Sequence, residues 1–72
     1  MPRLPSLTPA KIIRALERAG FLFIRQRGSH RVYVRGEKII VIPFHNKDLR
    51  KGTLKNIIQH SGLSVDEFLE LL

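Results

Sequence analysis

Between Thr8 and Gly20 the apolar residues Ile12, Ile13, Leu16 and Ala19 recur at three- and four-residue spacing, the period of one helix face. Thr8-Pro9 suits the N-cap and first-turn positions, and Gly20 suits the left-handed residue that ends a helix, so the pattern predicts a helix over Pro9–Ala19. Its other face holds Lys11, Arg14 and Arg18, a basic stripe turned away from the core. Ahead of it, residues 1–7 read as an extended arm, because Pro2 and Pro5 disfavour helix at and just before themselves. The period then changes. Phe21–Arg27, His30–Arg35 and Lys38–Pro43 are short runs rich in Phe, Ile, Val and Tyr, separated by Gly28-Ser29 and Gly36-Glu37. Two-residue gaps that begin with Gly suit tight hairpin turns and predict an antiparallel meander. In that register Arg27 pairs with His30, and His30 lies opposite Pro43. Unbroken alternation places Phe21, Phe23, Val32, Val34, Ile39 and Val41 on one side, the expected core face. The other side carries Leu22, Ile24, Tyr33, Ile40 and Ile42 among Gln26, Arg31, Arg35 and Lys38. It is apolar enough to be expected to dock a partner or a second copy through Ile24, Tyr33 and Ile40.

Phe44–Lys51 reads as a polar, partly basic loop. Gly52-Thr53 opens a second helix with Leu54, Ile57 and Ile58 inward and Gly62 closing it. Ser64 and Glu67 have the spacing of a capping box, with Leu63 and Phe68 placed as its hydrophobic staple. A last helix over Val65–Leu71 is expected to bury Val65, Phe68, Leu69 and Leu72. The order α-β-β-β-α-α describes an α+β fold: one three-stranded antiparallel sheet covered on one face by helices, in a single domain over residues 1–72.

Composition narrows the function. Thirteen Lys and Arg against six Asp and Glu give a net charge of +7. All thirteen cations lie in Met1–Lys55, whereas Asp66, Glu67 and Glu70 fall in the last twelve residues. Such a balance favours a polyanionic partner. The absence of cysteine excludes disulfides, thiolate metal sites and a Cys nucleophile. No apolar run approaches the roughly 18–20 residues that span a bilayer, and Met1-Pro2-Arg3-Leu4-Pro5 lacks the apolar core of a signal peptide, so a soluble cytoplasmic protein without membrane contact is expected.

Catalytic groups are few: His30, His45, His60, Tyr33, several hydroxyls and scattered carboxylates. No carboxylate pair, zinc-binding pattern or Gly-rich phosphate loop is present, so chemistry without metal or cofactor is expected. RNA cleavage fits that restriction. The ribose 2′-OH is an internal nucleophile beside the phosphate, and the protein need only move protons and supply positive charge. His30 follows Gly28-Ser29 at a hairpin corner, where backbone can approach a phosphate closely. Arg25, Arg27 and Arg31 surround it in sequence, and cations that near favour the neutral, proton-accepting imidazole. A hairpin-end histidine bonded to backbone is the plainer alternative. His45 is either a second proton-transfer group, a phosphate donor or an ordinary loop histidine; His60, at a helix end, reads as structural. Lys51 and Lys55 lie at a helix start, where free backbone N–H groups add to them in binding phosphate; long cations in water are the alternative. The stripe Lys11, Arg14, Arg18 has the same two readings, since Glu17 is spaced to pair with Arg14. Four Phe and one Tyr, most at core positions, leave few platforms for base stacking.

The chain resembles the HicA (YcfA-like) toxins. The resemblance runs through Leu4-Pro5-Ser6-Leu7, Ala19-Gly20-Phe21 and Arg27-Gly28-Ser29-His30. It continues through Val41-Ile42-Pro43-Phe44-His45, Lys51-Gly52-Thr53-Leu54 and Gly62-Leu63-Ser64-Val65-Asp66-Glu67-Phe68. It implies a double-stranded-RNA-binding-domain-like fold, a ribosome-independent mRNA endonuclease, and neutralisation by a HicB antitoxin encoded alongside. It also implies that the histidine after the Gly-Ser turn, His30, is catalytic. The expected function is therefore that of an endoribonuclease toxin of a type II toxin–antitoxin system. His30 would be the proton-transfer group, and Arg27, Ser29, Lys51, Lys55, Lys11, Arg14 and Arg18 would bind RNA, with His45 as accessory. A non-catalytic double-stranded-RNA-binding module and a protein-interaction domain are the alternatives. A homodimer and a toxin–antitoxin hetero-oligomer both remain open.

Overall fold

The computed structural model describes residues 4–72; Met1, Pro2 and Arg3, and with them the Pro2 part of the expected arm, lie outside the described residues. The elements are α1 (Pro9–Arg18), β1 (Leu22–Arg27), β2 (His30–Arg35), β3 (Lys38–Pro43), α2 (Lys51–Ser61) and α3 (Val65–Glu70). The strands form one sheet in the order β1-β2-β3, with both neighbouring pairs antiparallel. This is the α-β-β-β-α-α arrangement expected from the periodicities.

Helix α1 buries Pro9, Ile12, Ile13, Ala15 and Leu16. Thr8 is its N-cap by backbone conformation, but its side chain makes no capping hydrogen bond. The end is more strongly determined. Phe21 N–H donates to Leu16 C=O and Gly20 N–H to Glu17 C=O, the paired bonds of a Schellman motif, with Gly20 at φ +99°. Leu16 and Phe21, which this motif brings together, are both buried. The chain therefore leaves α1 and enters β1 in one step. At the other end, the Ser64 hydroxyl accepts from Glu67 N–H and the Glu67 carboxylate accepts from Ser64 N–H, the expected capping box. Phe68 is fully buried, and Leu63 packs against the core ahead of it.

The sheet corrects the expected choice of face. Tyr33, Ile40 and Ile42 are buried, whereas Ile39 and Val41 are at least half exposed. Val32 and Val34 are only half-buried. The helices thus cover the side expected to be open, and Tyr33 and Ile40 are core residues that cannot dock a partner. The reason is a bulge. Arg27↔His30, Gln26↔Arg31 and Arg25↔Val32 are paired as expected, but the register shifts between Phe23 and Arg25, so that Phe23 pairs with Tyr33. Ile24 is the extra residue, and everything before it changes side. Phe23 then meets Tyr33 edge-on, with ring centroids 5.6 Å apart. Phe23 itself remains half exposed on the outer strand. Straight alternation had tied two phenylalanines to Val32 and Val34; the bulge ties them to Tyr33 instead.

Residues 4–8 run beside the layer of helices. Leu7 is buried, and its carbonyl accepts from Leu49 N–H at 2.9 Å, joining the arm to the segment before α2. Helix α2 begins at Lys51, one residue ahead of the expected Gly52, and ends at left-handed Gly62 with φ +77°.

The face assignment gives a direct contrast. Ile42→Ala should cost about 2–5 kcal/mol in chemical denaturation, whereas Val41→Ala, one residue away, should cost about 1 kcal/mol or less. Glu67 gives a second test. The Ser64 backbone N–H, and then its hydroxyl, hold the Glu67 carboxyl below its ordinary range. A carboxylate depressed in the folded state contributes stability above its unfolded pKa and loses it as pH falls through the folded value. Glu67→Gln should therefore flatten the acid-side loss of stability between those two values, as followed by circular dichroism.

Candidate nucleic-acid interface

The β1–β2 turn is built from Gly28 at φ +58° and Ser29, and among the described residues no non-glycine has a positive φ. A positive angle at the first central residue alone is the type II′ signature, whose twist matches the strands it joins. Arg27 and His30 are consequently direct partners, and His30 is also opposite Pro43, at the head of the central strand. His30 and Ser29 are exposed. Directly paired residues share a side of the sheet, so Arg25, Arg27 and His30 all lie on the side away from the helices.

Arg31 does not join them. Its neighbour in the strand is His30, and neighbours point to opposite sides. The Arg31 guanidinium stacks 3.6 Å from the Phe44 ring centroid and 5.8 Å from that of Phe23, while Nε donates to Gln26 Oε1 at 2.9 Å. Gln26 Nε2 in turn donates to Gly28 C=O at 3.0 Å, and Phe44 N–H donates to Ser29 C=O. Arg31 thus ties the turn that carries His30 to the loop after β3. Strand parity alone could have separated Arg31 from the His30 group, but nothing in the sequence signalled its stacking on Phe44.

His45 is exposed in that loop, with Nδ1 accepting Lys47 N–H at 3.1 Å. The neutral ring therefore carries its proton on Nε2, which remains a donor. His45 shares a shallow depression with Phe44, Asn46, Thr8 and Ala10, so the loop after β3 abuts the start of α1. His60 Nδ1 lies 2.7 Å from Asn56 C=O and must donate there, in keeping with a structural reading.

Lys11, Arg14 and Arg18 are exposed and line one groove with Pro5, Ser6, Leu7 and Leu72. Arg18 Nη1 also donates to Leu71 C=O at 2.6 Å. Lys51 Nζ donates to Leu4 C=O at 2.7 Å, which leaves two of its three N–H donors for other partners; Lys55 is exposed one turn further along α2. The stripe on α1 and the start of α2 therefore flank the same arm. His30, Arg27 and Ser29 belong to a separate cluster at the end of the sheet. Among the described residues no group of three or more His, Cys, Asp or Glu is arranged to hold a metal ion, and no helix is long and apolar enough to cross a membrane.

A family model for the HicA toxins of bacterial toxin–antitoxin systems matches residues 9–63. The chain belongs to the HicA toxin family. A search of curated proteins returns no match. The matched span begins with α1 and ends after α2, so it contains every candidate residue from Lys11 to Lys55 and leaves the arm before α1 and helix α3 outside. As a member of this family, the chain is a toxin of a toxin–antitoxin system.

The turn that presents His30 can be tested against another glycine. An added Cβ would meet open space at both Gly28 and Gly52, but only Gly28 has a positive φ. Gly28→Ala should destabilise the protein by about 1 kcal/mol through backbone strain alone, and Gly52→Ala, within a helix, should stabilise it by about 0.5–1 kcal/mol. Thermal melts of the two variants would show opposite shifts.

Proposed function

We propose that this HicA-family toxin is a metal-independent, ribosome-independent mRNA endoribonuclease in which His30 moves the proton of the ribose 2′-OH. The observation that carries this reading is an exposed His30 at a II′ turn, paired directly with Arg27, in a chain of this family. His30 takes the 2′-OH proton, the 2′-oxygen bonds to phosphorus, and the bond from phosphorus to the 5′-oxygen breaks. The products are a 2′,3′-cyclic phosphate and a 5′-OH, and the leaving oxygen receives a proton from imidazolium or water. Arg27, beside His30, neutralises the charge that develops on the non-bridging oxygens. His45, with Nε2 left as a donor, is the accessory group at the same end of the sheet.

RNA is held outside this centre by Ser29 at the turn, Lys51 and Lys55 at the start of α2, and Lys11, Arg14 and Arg18 on α1. These residues contact phosphates and set register without reading bases, which agrees with the scarcity of exposed aromatic rings. Neutralisation by a HicB-type antitoxin and a cytoplasmic site of action complete the reading.

His30→Ala should retain its fold and RNA affinity while its cleavage rate drops by about 100-fold or more. Cleavage by the wild type should persist in EDTA, and a substrate with a single 2′-deoxyribose at the scissile position should resist it. Unaltered cutting by His30→Ala would remove the histidine from the mechanism. Salt-dependent binding with no cutting by the wild type would leave a non-catalytic RNA-binding module.

A further inference from the structure

The turn that carries His30 is held more firmly than a hairpin turn requires. In a two-residue hairpin the loop's own hydrogen bond joins the flanking residues, and the carbonyls of the two central residues are left over. Here both are taken. Gln26 Nε2 donates to Gly28 C=O at 3.0 Å, and Phe44 N–H donates to Ser29 C=O. The Gly36-Glu37 turn is also led by a glycine of positive φ (+60°), yet among the described residues neither of its carbonyls has a partner. The two bonds at Gly28 and Ser29 meet in one side chain. Arg31 Nε donates to Gln26 Oε1 at 2.9 Å, and its guanidinium lies 3.6 Å from the centroid of the Phe44 ring. We propose that Arg31 is a positioning residue for RNA cleavage, fixing through Gln26 and Phe44 the turn from which His30 presents its imidazole. The inference rests on the reading of His30 as the proton-transfer group.

Three features point to positioning rather than to contact with RNA. First, Arg31 is on the wrong side for contact at the reacting centre. It pairs with Gln26 and with buried Ile42, on the side the helices cover, whereas His30 faces away. The guanidinium is separated from the imidazole by the sheet and acts on it through the turn. Second, the brace uses the shape of arginine and not only its charge. A flat guanidinium stacks on a ring with its face while donating from its edge, which a lysine ammonium cannot do. The Gln26 amide has one orientation that serves both neighbours, Oε1 toward Arg31 and Nε2 toward Gly28. Removing either side chain therefore releases the Gly28 carbonyl. Third, Phe44 directly precedes His45, so the same stack steadies the loop that carries the accessory histidine. Proton transfer to a 2′-OH depends on such placement, since a displacement of about 1 Å costs up to roughly 100-fold in rate.

The test uses the full chain, with single-turnover cleavage of a short RNA measured beside its binding and folding followed by circular dichroism. Arg31→Lys keeps the charge but not the combined stack and bond. Its cleavage rate should drop about 10-fold or more while RNA affinity stays within about 2-fold of wild type. Gln26→Met, which keeps length and neutrality, should lose cleavage to a similar extent. The double variant should lose little more than either single one, because both cut the same brace. Amide hydrogen exchange reads the turn without reference to cutting. Phe44 N–H, bonded to Ser29 C=O, should exchange about 10-fold faster in Arg31→Lys, while Leu54 N–H, bonded to Arg50 C=O in α2, keeps its wild-type rate. Wild-type cleavage in both single variants would overturn the proposal. So would a fall in RNA affinity that accounts for the lost cleavage, which would make Arg31 a contact residue. Equal acceleration at Leu54 would overturn it as well, by making the brace a matter of global stability. A wild type that does not cut RNA would overturn the nuclease reading and the catalytic role of Arg31 together, whereas unimpaired cutting by the variants overturns this proposal alone.

Discussion

A strand has two sides, and in this protein the helices cover one of them. Burying Tyr33, Ile40 and Ile42 beneath α1 and α2 commits every second residue of β2 and β3 to the core. The intervening residues are then open by geometry. His30, two residues before Val32 on β2, is held outside for that reason, and so is its cross-strand neighbour Arg27. The exposure of the candidate catalytic group is thus a consequence of core packing. Moving the register by one residue would bury the histidine and expel the tyrosine.

The bulge at Ile24 makes this arrangement compatible with the rest of the chain. Phe21 follows directly from the Schellman end of α1 and has to be buried beneath that helix. Arg27, at the other end of the same strand, has to pair with His30 on the open side. They lie six positions apart, so strict alternation would put both on one side. One extra residue reconciles the two, at the cost of an interrupted ladder on an outer strand where interruption is least harmful.

Charge is distributed around this scaffold in two parts. One cationic surface runs from the α1 stripe across the arm to the start of α2, and Lys51 holds the arm by its bond to Leu4. The other is the pair Arg25 and Arg27 beside the aliphatic side of the sheet. Arg31 belongs to neither: stacked on Phe44 and bonded to Gln26, it braces the turn from behind. The two surfaces differ in texture: Pro5, Leu7 and Leu72 line the first together with its cations, whereas the second borders a row of aliphatic side chains on the open side of the sheet.

The sequence by itself determined the elements and their neighbours. Helical spacing, Gly-led two-residue gaps and the Ser64–Glu67 cap are local signals, so α1, three hairpin-linked strands, the Arg27–His30 pair and α3 could be read within a residue or so. Membership of the HicA family was legible in the same short motifs. The side of the sheet that carries the core was decided only in three dimensions. Val32, Val34, Ile39 and Val41 are as apolar as Tyr33, Ile40 and Ile42, so alternation defines two sides without ranking them. The ranking comes from where α1 and α2 land, and a bulge that no residue type announces then reassigns Phe21 and Phe23. The stacking of Arg31 on Phe44 escaped for a similar reason, since contact across thirteen residues of chain depends on how β3 returns beside β2 and leaves no local periodicity to read.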